Sequence, residues 1–311
     1  CFDEIPETDS RAKIGPRQFV IALIFCLSTD RGKRSIETLR RNIMNAAGER
    51  ISRGSFWERL ATGRLFTFLL MLVQESVKQM GAFAFGGKQM QALLVLLKVK
   101  GILVVDSSSM TLPEMAGAAF PGPRKNVAPA VIKWHSCFDL FGGVIRWLDL
   151  SPGTSHDQNH FPDLKSLVGR LIIFDLGYFD YSLLQAIENV GGYFLSRIKT
   201  NAVIQIAKVI EGLPKGFKGK WLFSKRLPKE RNIIEVLGLF KDGLFQYRVI
   251  GFWNPVDKDY HWYVTNLPVS ARLIYPLYRL RWQIELLFKT AKSSLNFRPP
   301  DIGGQAINII E

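Results

Sequence analysis

Residues 169–180 read GRLIIFDLGYFD. Four apolar residues, Leu171 to Phe174, run without a polar break into an acid, Asp175, and then into a glycine-bearing turn. A short continuous apolar run closed by turn residues predicts a strand buried on both faces. Residues 100–109, KGILVVDSSS, repeat the pattern and end in Asp106. Between them, residues 129–151 (PAVIKWHSCFDLFGGVIRWLDLS) read as two strands turning at Gly142-Gly143. Downstream, YSLLQAIENVG (181–191) reads as a helix and GYFLSRIK (192–199) as a further strand. The order strand, hairpin, strand, helix, strand predicts an α/β fold with a mixed sheet.

The flanking segments differ in rhythm. Residues 15–33, 35–48 and 55–80 carry helical periodicity, with Pro16 near a first turn and Ser55 and Glu58 at capping-box spacing. This Arg-rich all-helical region reads either as a helix-turn-helix for DNA or as a plain helical bundle. Residues 201–267 hold short strand-like pieces (WLFSKRL, NIIEVLGLF, LFQYRVIGF, HWYVTNL) split by Gly, Pro and Asp-Gly turns, a β-rich insertion. The expected organisation is a helical, DNA-binding 1–98, an α/β core beginning over 99–200, the insertion over 201–267, and a final core helix within 268–311. The chain opens on Cys1 and stops inside an apolar pattern, QAINIIE, so further residues are expected at both ends.

Composition narrows the partner. Forty-one Lys and Arg against 27 Asp and Glu give a net charge of +14 in 311 residues, which favours a polyanion, nucleic acid first. The longest apolar runs, FVIALIFCL and LFTFLLMLV, are about half of a bilayer span, so no membrane partner is expected. Cys1, Cys26 and Cys137 show no metal-ligand spacing and suit a reducing, cytoplasmic compartment.

The third acid comes from residues 275–292, YPLYRLRWQIELLFKTAK. On one continuous helix, Tyr278, Arg281, Glu285 and Lys292 fall within a sector of about 60°, beside an apolar stripe through Leu277, Leu280, Ile284, Leu287 and Phe288. A solvated face with an Arg281–Glu285 ion pair would look the same. Yet acids at the ends of two neighbouring strands stand about 4.8 Å apart. With Glu285 they would repel unless a cation neutralised them, and a few carboxylates completed by substrate phosphates is the Mg²⁺ pattern. Two such ions clamp the oxygens of an in-line phosphoryl transfer. Arg281 would fork onto a phosphate, Lys289 and Lys292 supply point charges, and Tyr278 a hydroxyl.

Tyr278, Arg281, Glu285 and Lys292 reproduce the Y-x2-R-x3-E-x6-K signature, and VVDSSS, DLGYFD and YFLSRIKTN agree with the two aspartate regions around it. In these motifs the chain resembles bacterial DDE transposases of the insertion-sequence-four family over about residues 50–297. The resemblance implies a ribonuclease-H-like core interrupted by a β-rich insertion. Asp106, Asp175 and Glu285 would be its catalytic metal ligands, holding two Mg²⁺, with Mn²⁺ as the other candidate. It further implies cleavage at transposon ends and strand transfer into double-stranded target DNA by a synaptic homodimer, in the nucleoid of a bacterial cytoplasm. One departure is Leu176, where relatives often carry Arg. Two other readings stay open: a catalytically silent or truncated DNA-binding inhibitor of transposition, and a ribonuclease-H-like nuclease that cuts without joining.

Between Arg197 and Arg231 ten Lys or Arg face two Glu, a net charge of +8, with Phe217, Trp221 and Phe223 interleaved. This reads as a phosphate-backbone track, with Arg197 and Lys199 nearest the site. Trp282 reads either as a base-stacking residue or as edge-of-core packing. His135 and Cys137 read as structural strand residues. His156 and His160 fall in a Pro/Gly loop and are not read as zinc ligands. Residues 107–128 read as a long connection without regular structure.

Overall fold

The computed structural model describes residues 13–15, 18–23, 36–60, 87–112, 114–199, 201–223, 227–228 and 231–293. Residues 18–23 are helical, followed by α1 (Ile36–Ala47), α2 (Arg53–Leu60) and α3 (Gly87–Leu97). Phe19, Ile43 and Phe56 form a small core here, the Phe19 and Phe56 rings meeting edge to face at 5.8 Å. The cap of α2 is Ser52, whose Oγ accepts the Ser55 N–H at 3.1 Å, and not Ser55 as its spacing suggested. The helices expected over 24–33 and 61–80 lie outside the described residues. Among the described residues no helix is long and apolar enough to cross a membrane.

The rest is built on one mixed sheet. Its strands are β1 (Ile102–Thr111), β2 (Pro121–Arg124), β3 (Ala128–Asp139), β4 (Val144–Pro152), β5 (Leu171–Phe174), β6 (Tyr193–Arg197), β7 (Ile204–Glu211), β8 (Ile233–Phe240), β9 (Phe245–Asn254) and β10 (Asp259–Thr265). β3 lies between β4 and β1 and runs antiparallel to both; β5 and β6 continue parallel to β1. The spatial order β4-β3-β1-β5-β6 is the ribonuclease-H-like arrangement. The β3–β4 turn closes because Asp139 Oδ1 accepts the N–H groups of Phe141 and Gly142, while Gly143 takes φ +61°.

Strict alternation buries both faces of the central strands. Ile102, Val104, Leu171 and Ile173 pack under α3, α5 (Ala271–Arg279) and α6 (Trp282–Ser293). Leu103, Val105, Ile172 and Phe174 pack on the other side, with Leu184 and Ile187 of α4 (Tyr181–Asn189). That two-sided burial is why these strands read as unbroken apolar runs. Asp180 starts α4 by accepting from the backbone N–H of Ser182 and Leu183.

Four expectations are corrected. β1 does not stop at Asp106 but continues to Thr111, because β3 pairs with it as far as Thr111↔Val131. Residues 107–128 accordingly hold the end of β1, a 3₁₀ turn at Glu114–Ala118 and β2, which pairs with β3. The single helix over 275–292 is two. Across 277–284 the backbone bonds shorten to i−3 (Leu280 and Arg281 N–H to the Leu277 and Tyr278 carbonyls, Gln283 and Ile284 N–H to those of Leu280 and Arg281), a tighter turn that separates α5 from α6. Three of the strand-like pieces over 201–267 (NIIEVLGLF, LFQYRVIGF and HWYVTNL) form β8, β9 and β10 and extend the same sheet: β10 pairs antiparallel with β6, and β9, β8 and β7 follow outward. The fourth, WLFSKRL, is not a strand where it is described: Trp221 makes one isolated bridge to Gln205 and the chain then turns, and β7 comes instead from Ile204–Glu211.

Packing in this extension is tight at Gly251, where a Cβ would stand 2.6 Å from Cζ3 of the buried Trp262 ring. Gly251→Ala is therefore expected to cost about 1–3 kcal/mol by overpacking. In denaturant titration it should lower the midpoint without changing the slope. An unchanged or raised midpoint would show that the indole has room to move aside.

Candidate active site

Parallel pairing of β1 with β5 ends at Val105↔Phe174, and the next residue on each strand is an aspartate. Side-chain alternation places Asp106 on the face of Ile102 and Val104, and Asp175 on the face of Leu171 and Ile173, the face covered by α5 and α6. The Asp175 turn is closed by its own side chain, whose Oδ1 accepts the Gly177 N–H at 2.8 Å. A Cβ at Gly177 would lie 2.6 Å from Asp157 Oδ2 and 3.1 Å from Asp175 Oδ1, so a side chain here would push the two carboxylates aside.

The helices bring in the third acid. In the tight turn between α5 and α6, side chains three apart eclipse, and the Arg281 guanidinium lies 5.7 Å from the Tyr278 ring centre. From there Arg281 donates through Nη1 to Asp106 Oδ2 at 2.9 Å and through Nη2 to Glu285 Oε1. Lys292 Nζ donates to the Ser109 carbonyl at 2.8 Å and ties α6 to the end of β1. Asp106, Asp175, Arg281, Glu285, Lys289 and Lys292 thus line one open cleft of ≈ 700 Å³.

Asp106 is only 7% exposed. Burial pushes its pKa up to about 6; the Arg281 charge opposes the rise, and the charges of Asp175 and Glu285 add to it. Burial alone would lower the Arg281 pKa, but Tyr278, Asp106 and Glu285 outweigh it and raise it. Arg281 Nε is buried without a hydrogen-bond partner among the described residues. Among those residues no three His, Cys, Asp or Glu side chains are gathered closely enough to hold one ion as they stand. The positive charge that the acids demand is supplied by Arg281, which links Asp106 to Glu285. The donor type itself, three carboxylates lining one cleft, is the kind a hard divalent cation takes.

The other expected residues fall around this centre. Tyr278 is buried rather than lining the cleft, its ring 5.0 Å from that of Tyr263. Arg197 ends β6 one position beyond Ser196, the partner of Phe174, and is exposed at the same sheet end as Asp175. Lys199 is exposed two residues further on and is not part of the cleft lining. Trp282 is 59% exposed, which sets aside edge-of-core packing. Ser107, Ser108 and Phe288 also line the cleft. Their only signal in the sequence was position, the serines following Asp106 and Phe288 lying three residues beyond Glu285.

Residues 97–300 match the family model described as the transposase DDE domain. Among curated proteins the chain is similar to the transposase for insertion sequence element IS1151 of Clostridium perfringens, 26% identical over 235 residues, covering 62% of this chain and 50% of that protein. It is likewise similar to the transposase for insertion sequence element IS231F of Bacillus thuringiensis subsp. israelensis, 25% identical over 240 residues, with 62% and 50% covered. The chain therefore spans about half the length of the curated relatives it matches.

The raised Asp106 pKa sets a pH dependence. The folded state holds this proton up to about 6, whereas the ordinary value is 3.8, so the folded state binds it more tightly than the unfolded chain. Stability of the metal-free protein should then fall as pH rises from about 4 to about 6, by on the order of 2 kcal/mol. Asp106→Asn should flatten that fall in denaturant midpoints taken across the range. A fall of the same size in Asp106→Asn would assign the proton elsewhere.

Proposed function

The chain belongs to the transposase DDE-domain family, and from that membership and the cleft together we propose that it is a DNA transposase, cutting transposon ends and joining them to target DNA. The observation that carries this reading is the lining of one cleft by Asp106, Asp175 and Glu285 together with Arg281, Lys289 and Lys292.

Divalent-metal dependence follows from the family. Asp106, Asp175 and Glu285 are the residues that would hold the metal, as two Mg²⁺ or in their place Mn²⁺. Bound there, such ions supply Lewis-acid stabilisation of the attacking and leaving oxygens of a phosphodiester. The chain's own residues bind and orient the DNA. Arg281 gives up its link between Asp106 and Glu285 and forks onto a backbone phosphate, which its planar guanidinium matches. Lys289 and Lys292 place further charge along the same helix face, and Tyr278 backs the guanidinium from below. Arg197 and Lys199 extend the phosphate track toward the basic insertion, and Trp282 offers an exposed ring to an unstacked base. In the first step water attacks the phosphorus at the element end and a 3′-hydroxyl leaves. In the second that hydroxyl attacks a target phosphodiester and the target's own 3′-oxygen leaves. Residues 1–98, which the sequence reads as helical, are assigned to DNA recognition, and a homodimer to the pairing of two ends, in a bacterial cytoplasm at the nucleoid.

The test is a strand-transfer assay on labelled element ends with Mg²⁺ or Mn²⁺. The wild-type chain should give joined product; binding without product, or cleavage without joining, would overturn the transposase reading. Asp106→Ala, Asp175→Ala and Glu285→Gln should each lower product at least about 10²–10³-fold, the scale of losing a principal electrostatic contact, while DNA binding persists. Activity retained in any of the three would contradict the assignment.

A further inference from the structure

Beyond Phe174 the Asp175 turn has lost its strand partner on β1, and a 3.5 Å bond from Ser196 Oγ to its carbonyl is a weak tether on the β6 side. Something else must hold this carboxylate beside Asp106. Three residues along the same turn, Tyr178 is fully buried. On the sheet face opposite α5 and α6, its hydroxyl stands 3.0 Å from Nδ1 of His135. His135 lies on β3, directly across from Ser107 in the register of β1 and β3. The Tyr178–His135 bond therefore spans from the end of β5, behind β1 next to Asp106, to β3.

The anchor is itself fixed. His135 is fully buried, and its Nε2 stands 2.8 Å from Ser151 Oγ on β4. Burial, with His160, drives its pKa down to about 4, so the ring is neutral and one nitrogen donates while the other accepts. Its ring stacks on His160 at 4.3 Å, and His160 Nδ1 stands 2.6 Å from Asp149 Oδ2. Asp157, 3.9 Å from His135 Nδ1, is neutralised by Lys133 at 3.0 Å. The His135 side chain is sealed from solvent and cannot touch DNA or a cation.

We infer that Tyr178 and His135 are positioning residues: they strap the Asp175 turn across the back of β1 and so set the spacing of the two aspartates for a divalent cation. This deepens the transposase reading and rests on it. Partners one step behind metal-holding groups typically change metal affinity 10–100-fold when removed.

The experiment is calorimetric titration of the intact chain with Mn²⁺, with denaturant midpoints measured in parallel. Tyr178→Phe keeps the ring and loses the strap. In His135→Asn the amide falls where Nδ1 sits and keeps a partner for Tyr178. In His135→Gln it falls where Nε2 sits and keeps only Ser151. Both histidine substitutions remove the same stacked ring, so a merely structural role would move them alike. Tyr178→Phe and His135→Gln are expected to weaken Mn²⁺ binding about 10-fold or more, and His135→Asn to stay within about threefold of the wild type. Equal weakening in the two histidine variants, or wild-type binding in Tyr178→Phe, overturns the inference while leaving the transposase reading standing. A wild-type chain that binds no Mn²⁺ overturns the cation reading and this inference with it.

Discussion

The parallel register of β1 against β5 is the constraint from which the cleft follows. Val105 pairs with Phe174, and the next residue on each strand is an acid. A slip of one residue would turn Asp106 or Asp175 to the other face. The apolar alternation that buries Val104 and Ile173 on one face and Val105 and Phe174 on the other prevents that slip. Hydrophobic burial, which knows nothing of DNA, thereby aims two carboxylates at α5 and α6.

Having gathered negative charge at a buried point, the fold must neutralise it. Arg281 does so, between a nearly buried Asp106 and the half-exposed Glu285. Such a pairing is worth little as net stability once desolvation is counted, while an acid left unpaired there is costly. The same guanidinium suits a carboxylate and a phosphate equally. The residue that balances the acids of the cleft is therefore the same one proposed above to hold a DNA phosphate.

Much of this is legible in the sequence because buried strands leave an unmistakable mark: LVV before Asp106 and LIIF before Asp175 admit few other readings. The β3–β4 hairpin was equally plain from Gly142-Gly143. Other features leave no such mark. SSSMT after Asp106 is polar and reads as loop, and only the pairing with β3 makes it strand. The division between α5 and α6 hides because an apolar stripe can run on through one tightened turn. Ser52 and Ser55 are both acceptable caps, and which one serves depends on where the preceding chain enters. Tyr178 and His135 are isolated polar groups with no periodicity to betray them. Their partnership spans 43 positions in sequence and exists only once β5 and β3 flank β1.

The strands of 204–265 are contiguous in sequence, which invites treating them as a detachable module. Their hydrogen bonds say otherwise, since β10 forms the outer border of β6 along Tyr263↔Arg197 to Thr265↔Leu195. Excising them would lay bare a row of unsatisfied peptide groups one strand away from Asp175, together with the apolar flank of Leu195. Such an edge invites pairing between molecules. Cutting this protein back to its central strands would thus begin by manufacturing an aggregate.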